Sequence, residues 1–346
     1  MKILERTLNE IKELDQAKIR EAKQRLDTLT KPQGSLGKLE KIAAKLAGIT
    51  GDVFAPVDCK AHVVMAGDHG VVEEGVSAFS QEVTVAMIHN FLNQGAAINV
   101  LAQQVGAEVI VVDVGVAQEV GVEGLVVKKI KAGTDNFTQK AAMTEAEAIA
   151  SIEVGIEVVE GLVDRGVNLI GTGEMGIGNT TSSSAIIAAC TGLSVDDVVG
   201  YGSGIDDKGL ARKQEVIKQG LKLNQPDSNN GIDILAKVGG LEIGAMAGMM
   251  LAAAAKRVPV IVDGVISGAA ALIAQKLEPK VVGYLIPSHK SVEPAHIKTY
   301  ETLGLEPMLD LDMRLGEGTG AVLAMNLVEA ASRIIKEMAT FEEIGL

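Results

Sequence analysis

The chain has 346 residues, 47% of them apolar, with 32 Lys and Arg against 45 Asp and Glu and a net charge of −13. That apolar share excludes a disordered chain, and the length buries a sizeable core in one large or two ordinary domains. The acidic balance and the scarcity of aromatics (five Phe, three Tyr, no Trp) argue against nucleic acid or an anionic membrane as the main partner.

The first 30 residues read as helical. Leu4, Leu8 and Ile11 share one face, and Ile19, Ala22, Leu26 and Leu29 share another. The opening MKILERTLNEIKELDQAK is charged throughout and lacks the apolar centre of a secretion signal. Pro32, Gly34 and Gly37 break the helix, and a third helix is expected at 38–47. Beyond it, short apolar runs alternate with helical stretches. Strands are predicted at 62–66, 109–112, 125–130, 167–171, 258–262 and 281–286. Most are continuously apolar, as strands buried on both faces are. Helices are predicted at 82–103, 145–164, 180–190, 209–223 and 241–256, with a last one at 320–339. This βα alternation predicts an α/β fold with a mostly parallel six-stranded sheet flanked by helices. The longest apolar run, 243–255 (IGAMAGMMLAAAA), is shorter than the ~20 residues a bilayer span needs and reads as a fully buried helix. Cys59 and Cys190 fit no zinc-ligand spacing and read as two buried thiols in a reducing compartment. These features predict a cytoplasmic protein.

Polar residues crowd the ends of the predicted strands: Asp68 and His69, Asp113, Glu174, Asp263, and His289 with Ser291. Open α/β sheets bind ligands at that edge. The sharpest motif is GTGEMGIGNTT at 171–181, between a strand and a helix. Its glycines and the helix N-terminus suit a phosphate, and Asn179, Thr180 and Thr181 either cap the helix or hold phosphate oxygens. An ordinary tight turn is the plain alternative. The same stretch matches GxGxxG at Gly171, Gly173 and Gly176, with Asp196 downstream. A dinucleotide-dependent oxidoreductase would want that acid at the end of a second strand, a context Asp196 lacks. A second glycine-rich loop, 200–207, carries Ser203 and Gly204 and opens the helix bearing Lys213. Two such loops and a lysine can enclose one phosphate, although Lys213 reads first as a surface residue. In RLGEGTG at 314–320, Glu317 stands between glycines just before the last helix. Arg314 and the helix terminus favour its ionised form and burial opposes it, which suits a general base; a capping Glu is the plain alternative. His62 and His89 read as packing residues, 182–184 (SSS) as helix packing, and no histidine spacing supports a metal.

In this order, KPQGSLG at 31–37, AGDHG at 66–70, GVSA at 75–78, VT at 83–84, GAAIN at 95–99, GEMGIGNTT at 173–181, DG at 263–264 and RLGEGTG at 314–320 occur together. The set resembles the nicotinate-nucleotide–dimethylbenzimidazole phosphoribosyltransferase family over nearly the whole chain. The resemblance implies a Rossmann-like large domain, 31–319, and a small helical domain built from 1–30 and 320–346. It implies transfer of the phosphoribosyl group of nicotinate mononucleotide to 5,6-dimethylbenzimidazole, in a homodimer and without a metal or redox cofactor. Glu317 matches the family's general base, and Glu174 is the second catalytic candidate. Gly176, Gly178, Asn179, Thr180, Ser203, Gly204 and Lys213 are candidates for the 5′-phosphate. Asp263, Ser291 and Arg314 are candidates for the ribose and the nicotinate carboxylate. Phe79, Ser80, Met87, Met175 and Leu315 are candidates for the base pocket, an apolar slot suited to a dimethylated bicycle. A non-catalytic nucleotide-binding protein is the remaining alternative.

Overall fold

The structure is a computed structural model, described here for residues 2–346 apart from Ser203. Helices α1 (Ile3–Glu10), α2 (Gln16–Thr28) and α3 (Lys38–Thr50) precede the first strand, β1 (Lys60–Gly67). Helices α4 (Glu82–Leu92) and α5 (Ala97–Val105) lead to β2 (Ala107–Gly115) and the short β3 (Val126–Val127). After α6 (Glu145–Asp164) and β4 (Leu169–Met175) come α7 (Asn179–Thr191), α8 (Val195–Val198), α9 (Asp207–Asn224), α10 (Gly231–Val238) and α11 (Leu241–Ala255). The chain closes with β5 (Val260–Val262), α12 (Val265–Leu277), β6 (Leu285–Pro287), β7 (His289–Lys290), α13 (Pro294–Leu303), β8 (Leu309–Asp310) and α14 (Thr319–Glu337).

Strands β3-β2-β1-β4-β5-β6 form one six-stranded sheet whose neighbours all pair parallel. Its order is that of dinucleotide-binding sheets: strands are added outward on one side from β1 to β3 and on the other from β4 to β6, and such sheets bind ligands in the crevice at that switch. Strands β7 and β8 make a separate parallel pair. The apolar runs are buried because helices cover both faces. On one face α6, α11 and α12 pack with Val63 and Met65 of β1; on the other α3, α5 and α14 pack with Val64 and Ala66. The apolar helix α11 is buried from Leu241 through Ala254. It meets α6 almost backbone to backbone: a Cβ on Gly155 would stand 1.8 Å from the Ala245 carbonyl, and one on Gly248 1.9 Å from that of Ile152. The chain ends touch, with Leu29 bridged to Thr340 and the Arg25 guanidinium donating to the carbonyls of Ile335 and Met338. Helix α14 also packs on β4 and β5.

Several expectations need correction. The helix expected at 82–103 is two helices. Gln94 turns left-handed (φ 59), and the Asn90 side chain fills the space beside Gly95, where a Cβ would meet its oxygen at 2.3 Å. The strand expected at 125–130 pairs only at Val126 and Val127, and the run at 281–286 begins as a 3-10 turn, Pro279–Tyr284. Helices α10, α12 and α13 have no counterpart among the predicted elements. Cys59 is exposed rather than buried, because it precedes β1 at the sheet's N-terminal edge; Cys190 is buried as expected. Among the described residues no helix is long and apolar enough to cross a membrane.

Candidate active site

The carboxyl edge of the sheet opens into a cavity of about 580 Å³. Three helix N-termini converge on it. Asn179 and Thr180 of α7, Val265 and Ser267 of α12, and Glu317 just ahead of α14 all line its wall. None of these helices has a side-chain hydrogen bond at its N-cap, glycine in each case (Gly178, Gly264, Gly318). Uncapped N-termini aim backbone N–H groups and positive dipole ends at the same space, which favours anions there.

Against that field stand three carboxyl groups, Glu174, Asp263 and Glu317, each buried and each on the cavity wall. Glu317 has a left-handed backbone (φ 61) between Gly316 (φ 88) and Gly318 (φ 86). A side chain on either neighbour would collide: a Cβ on Gly316 would lie 2.6 Å from Glu174 Oε1, and one on Gly318 2.0 Å from the His62 ring. The Ile98 N–H, at the start of α5, donates to Glu317 Oε2 at 3.3 Å. Burial raises the Glu317 carboxyl above the ordinary range, the Ile98 N–H pulls it down, and the Asp263 charge adds to the rise. Glu174 is raised further, to about 8, by burial first and then by the charges of Asp263 and Glu242. The Glu317 N–H donates to Glu174 Oε1 at 3.3 Å, and the Asn179 amide donates to Oε2. An amide turned end for end would accept from a protonated Oε2, so Asn179 serves both charge states. Asp263, also raised by burial, accepts from the Ala321 N–H at 2.9 Å and lies 3.7 Å from His289 Nδ1.

Lys213 is 1% exposed, which corrects the reading of it as a surface residue. Helix α9 runs beneath the 200–204 loop and turns this lysine inward, so that Nζ donates to Thr180 Oγ1 at 2.8 Å. Burial lowers its pKa to about 8, with Glu293 pulling the other way. Glu293 lines the cavity and accepts from the Gly202 N–H at 3.1 Å, and Arg314 donates to the Gly202 carbonyl at 3.3 Å.

Most predicted site residues therefore come together. Glu174, Gly176, Asn179 and Thr180 line the cavity on one side, and Asp263, Ser291, Arg314 and Glu317 on another. Phe79, Met87, Met175 and Leu315 are there as well; Phe79 is 50% and Leu315 59% exposed, which places both at the mouth. Lys213 stands behind the wall, and Gly178 lies beneath it against His69, where a Cβ would be 3.0 Å away. Neither Gly204 nor Ser80 is on the described wall; the Ser80 hydroxyl turns to Glu82 at 3.4 Å. Ser203 lies outside the described residues. The dinucleotide fingerprint dissolves: Gly171 and Gly173 belong to β4, not to a loop. Asp196 is a surface residue of the short α8, paired with Lys218 at 2.8 Å. Ser182 does more than pack, because its hydroxyl bonds His69 Nδ1 at 2.9 Å while His69 Nε2 bonds Glu242 at 2.7 Å. Sequence reasoning missed His289 and Glu293 as wall residues. The strand end at 287–291 signalled the first; nothing local signalled the second.

Comparison with known proteins agrees with this geometry. A family model described as "Phosphoribosyltransferase" matches residues 11–346. The nicotinate-nucleotide–dimethylbenzimidazole phosphoribosyltransferase of Desulforamulus reducens is 55% identical over 348 residues, 100% of this chain and 99% of that protein. The protein of the same name from Desulforudis audaxviator is 54% identical, over 100% of this chain and 98% of its own length. A crystal structure of the Thermus thermophilus enzyme superposes with a TM-score of 0.91 at 44% identity, covering 96% of this chain and 99% of the other. The chain is thus a phosphoribosyltransferase, a pentosyl-transferring enzyme, and it belongs to the nicotinate-nucleotide–dimethylbenzimidazole phosphoribosyltransferase family.

Proposed function

We propose that the enzyme transfers the phosphoribosyl group of nicotinate mononucleotide to 5,6-dimethylbenzimidazole, releasing nicotinate and α-ribazole 5′-phosphate. One observation carries the mechanism: Glu317, a carboxylate held by a helix N-terminal N–H, is buried in the wall of a cavity whose mouth is apolar. A benzimidazole seated among Phe79, Met87, Met175 and Leu315 presents one ring nitrogen to the sugar and its N–H to Glu317. The unprotonated nitrogen attacks the anomeric carbon from the face opposite the nicotinate. The bond from that carbon to the pyridinium nitrogen breaks, and its electron pair returns to the pyridine ring. The benzimidazole proton passes to Glu317. Attack from the far face inverts the centre, turning a β-nucleotide into an α-nucleotide.

Positive charge builds on the sugar ring as the bond breaks, and Glu317 and Asp263 lie where they stabilise it. Glu174, the second catalytic group in this reading, is held mostly protonated at neutral pH and offers its proton to a ribose hydroxyl instead of adding a third charge. The phosphate takes the N-terminus of α7, at Gly176, Gly178, Asn179 and Thr180, backed by Lys213 through Thr180. Asp263, Ser291 and Arg314 hold the ribose and the nicotinate carboxylate. The apolar mouth, open to solvent at Phe79 and Leu315, is consistent with a homodimer in which a second copy closes each site. Sedimentation at twice the chain mass would support that state, and the same reading places the enzyme in the cytoplasm.

The decisive variant is Glu317→Gln, which keeps shape and removes the base. Steady-state kinetics should show kcat reduced by about 10²–10⁴-fold with little change in KM for the nucleotide. Turnover within a few fold of the parent enzyme would remove Glu317 from the proton transfer.

A further inference from the structure

His62 is a strand residue, yet its ring does not pack as an ordinary core side chain. It lies on the α14 face of β1, opposite Gly171, with Gly173 two residues further along β4. Three missing side chains make room for it. A Cβ on Gly171 would stand 2.8 Å from Nδ1, one on Gly173 2.4 Å from Nε2, and one on Gly318 2.0 Å from Cε1. The two β4 glycines that mimic a nucleotide fingerprint are thus a slot for an imidazole. At the end of the slot, Nε2 is 2.8 Å from the Glu317 carbonyl oxygen. A carbonyl can only accept, so Nε2 carries the proton and Nδ1 does not. Nδ1 is buried and has no partner. Burial drives the His62 pKa down to about 4, so the ring is neutral wherever the enzyme is folded and active.

We infer that His62 is a positioning residue for Glu317, fixing the Glu317–Gly318 peptide through its Nε2–H. The inference rests on the proposed role of Glu317. Left-handed backbone is disfavoured at a non-glycine residue, and the following glycine lets this peptide rotate cheaply. Two hydrogen bonds fix the peptides on either side of the Glu317 Cα: the Glu317 N–H, in the Gly316–Glu317 peptide, donates to Glu174, and His62 donates to the Glu317 C=O, the hydrogen bond that holds the Glu317–Gly318 peptide itself. With both in place, the carboxylate meets the Ile98 N–H. Because the ring is neutral, His62 acts on Glu317 by geometry and not by charge.

The test pairs His62→Gln with His62→Met. Gln places an amide N–H at the same reach as Nε2; Met has similar length and no donor. The ionisable groups facing Glu317 are Glu174, Asp263 and His62 itself, and only His62 is altered. His62→Met should lose at least about tenfold in kcat with nucleotide KM within about threefold, and His62→Gln should recover most of it. Releasing the carboxylate from the Ile98 N–H raises its pKa, so the acid limb of kcat against pH should move to higher pH in His62→Met alone. Nitrogen-15 spectra of the intact enzyme, with the His62 signal assigned from the Gln variant, should show Nε2 protonated and Nδ1 bare. Full activity in His62→Met, equal losses in both variants, or the opposite tautomer would each overturn the inference. Glu317→Gln separates the two levels: its full activity rejects the base, whereas its inactivity beside an active His62→Met rejects only the positioning role.

Discussion

Glu174 carries the clearest pH signature of any residue in the site. Its carboxyl sits at about 8 in the folded chain, against an ordinary value of 4.5. Between those values the unfolded chain releases the proton and the folded chain keeps it. Stability therefore falls as pH rises across that window, by on the order of a few kcal/mol in total. Glu174→Gln mimics the protonated form at every pH. Its melting temperature should match the parent near pH 4.5 and exceed it by several degrees above pH 8; an equal difference at both ends would contradict the account. Lys213 has the opposite charge and the opposite consequence. It loses its proton as pH passes about 8, so nucleotide KM should climb there, while Lys213→Met should show a KM already raised below pH 8 and a smaller further rise, the part that Glu174 contributes. Glu174 is legible as a site candidate from its place at a strand end, whereas Lys213 reads first as a surface residue and becomes a phosphate candidate through the family resemblance. The burial of both is not legible, because it depends on where the 200–204 loop and α14 fold over them.

At the scale of elements, glycine decides how closely helices approach. Alanine is favoured over glycine inside a helix by about 1 kcal/mol, yet at Gly248 the added methyl would stand 1.9 Å from the Ile152 carbonyl. The clash outweighs propensity, and Gly248→Ala should destabilise the fold by about 2 kcal/mol or more in urea unfolding. A stabilised variant would mean that α6 and α11 are less tightly joined than described. The same closeness explains what is readable in this region. The helices expected at 145–164 and 241–256 match α6 and α11 to within a residue. The break between α4 and α5 is not announced, since it depends on the Asn99 side chain bonding the backbone at Ala96 and Phe91 and on Asn90 filling the space beside Gly95. Helix α12 is hidden for a related reason: its small residues and glycine carry little period even when every turn is packed.

The candidate site lies where the strand order switches, between the paired strands β1 and β4. The loops after them are tied by Thr84, which donates to Asp68 at 2.7 Å and accepts from the Ile177 N–H at 3.2 Å. The parallel sheet, its six strands and the functional edge can be read from apolar runs ending in polar residues. The small β7–β8 pair and the left-handed Glu317 loop cannot, because tertiary contacts impose both. Positive helix ends and negative carboxyl groups then share one cavity, which suits a substrate that is anionic at its phosphate and cationic at the reacting ring. The most direct measurement follows nicotinate and ribazole phosphate together, by chromatography, as purified enzyme acts on nicotinate mononucleotide and dimethylbenzimidazole. The account predicts that both products appear in equal amounts, with the new glycosidic bond in the α configuration. Nicotinate released without a ribosylated base, or a product of β configuration, would contradict it.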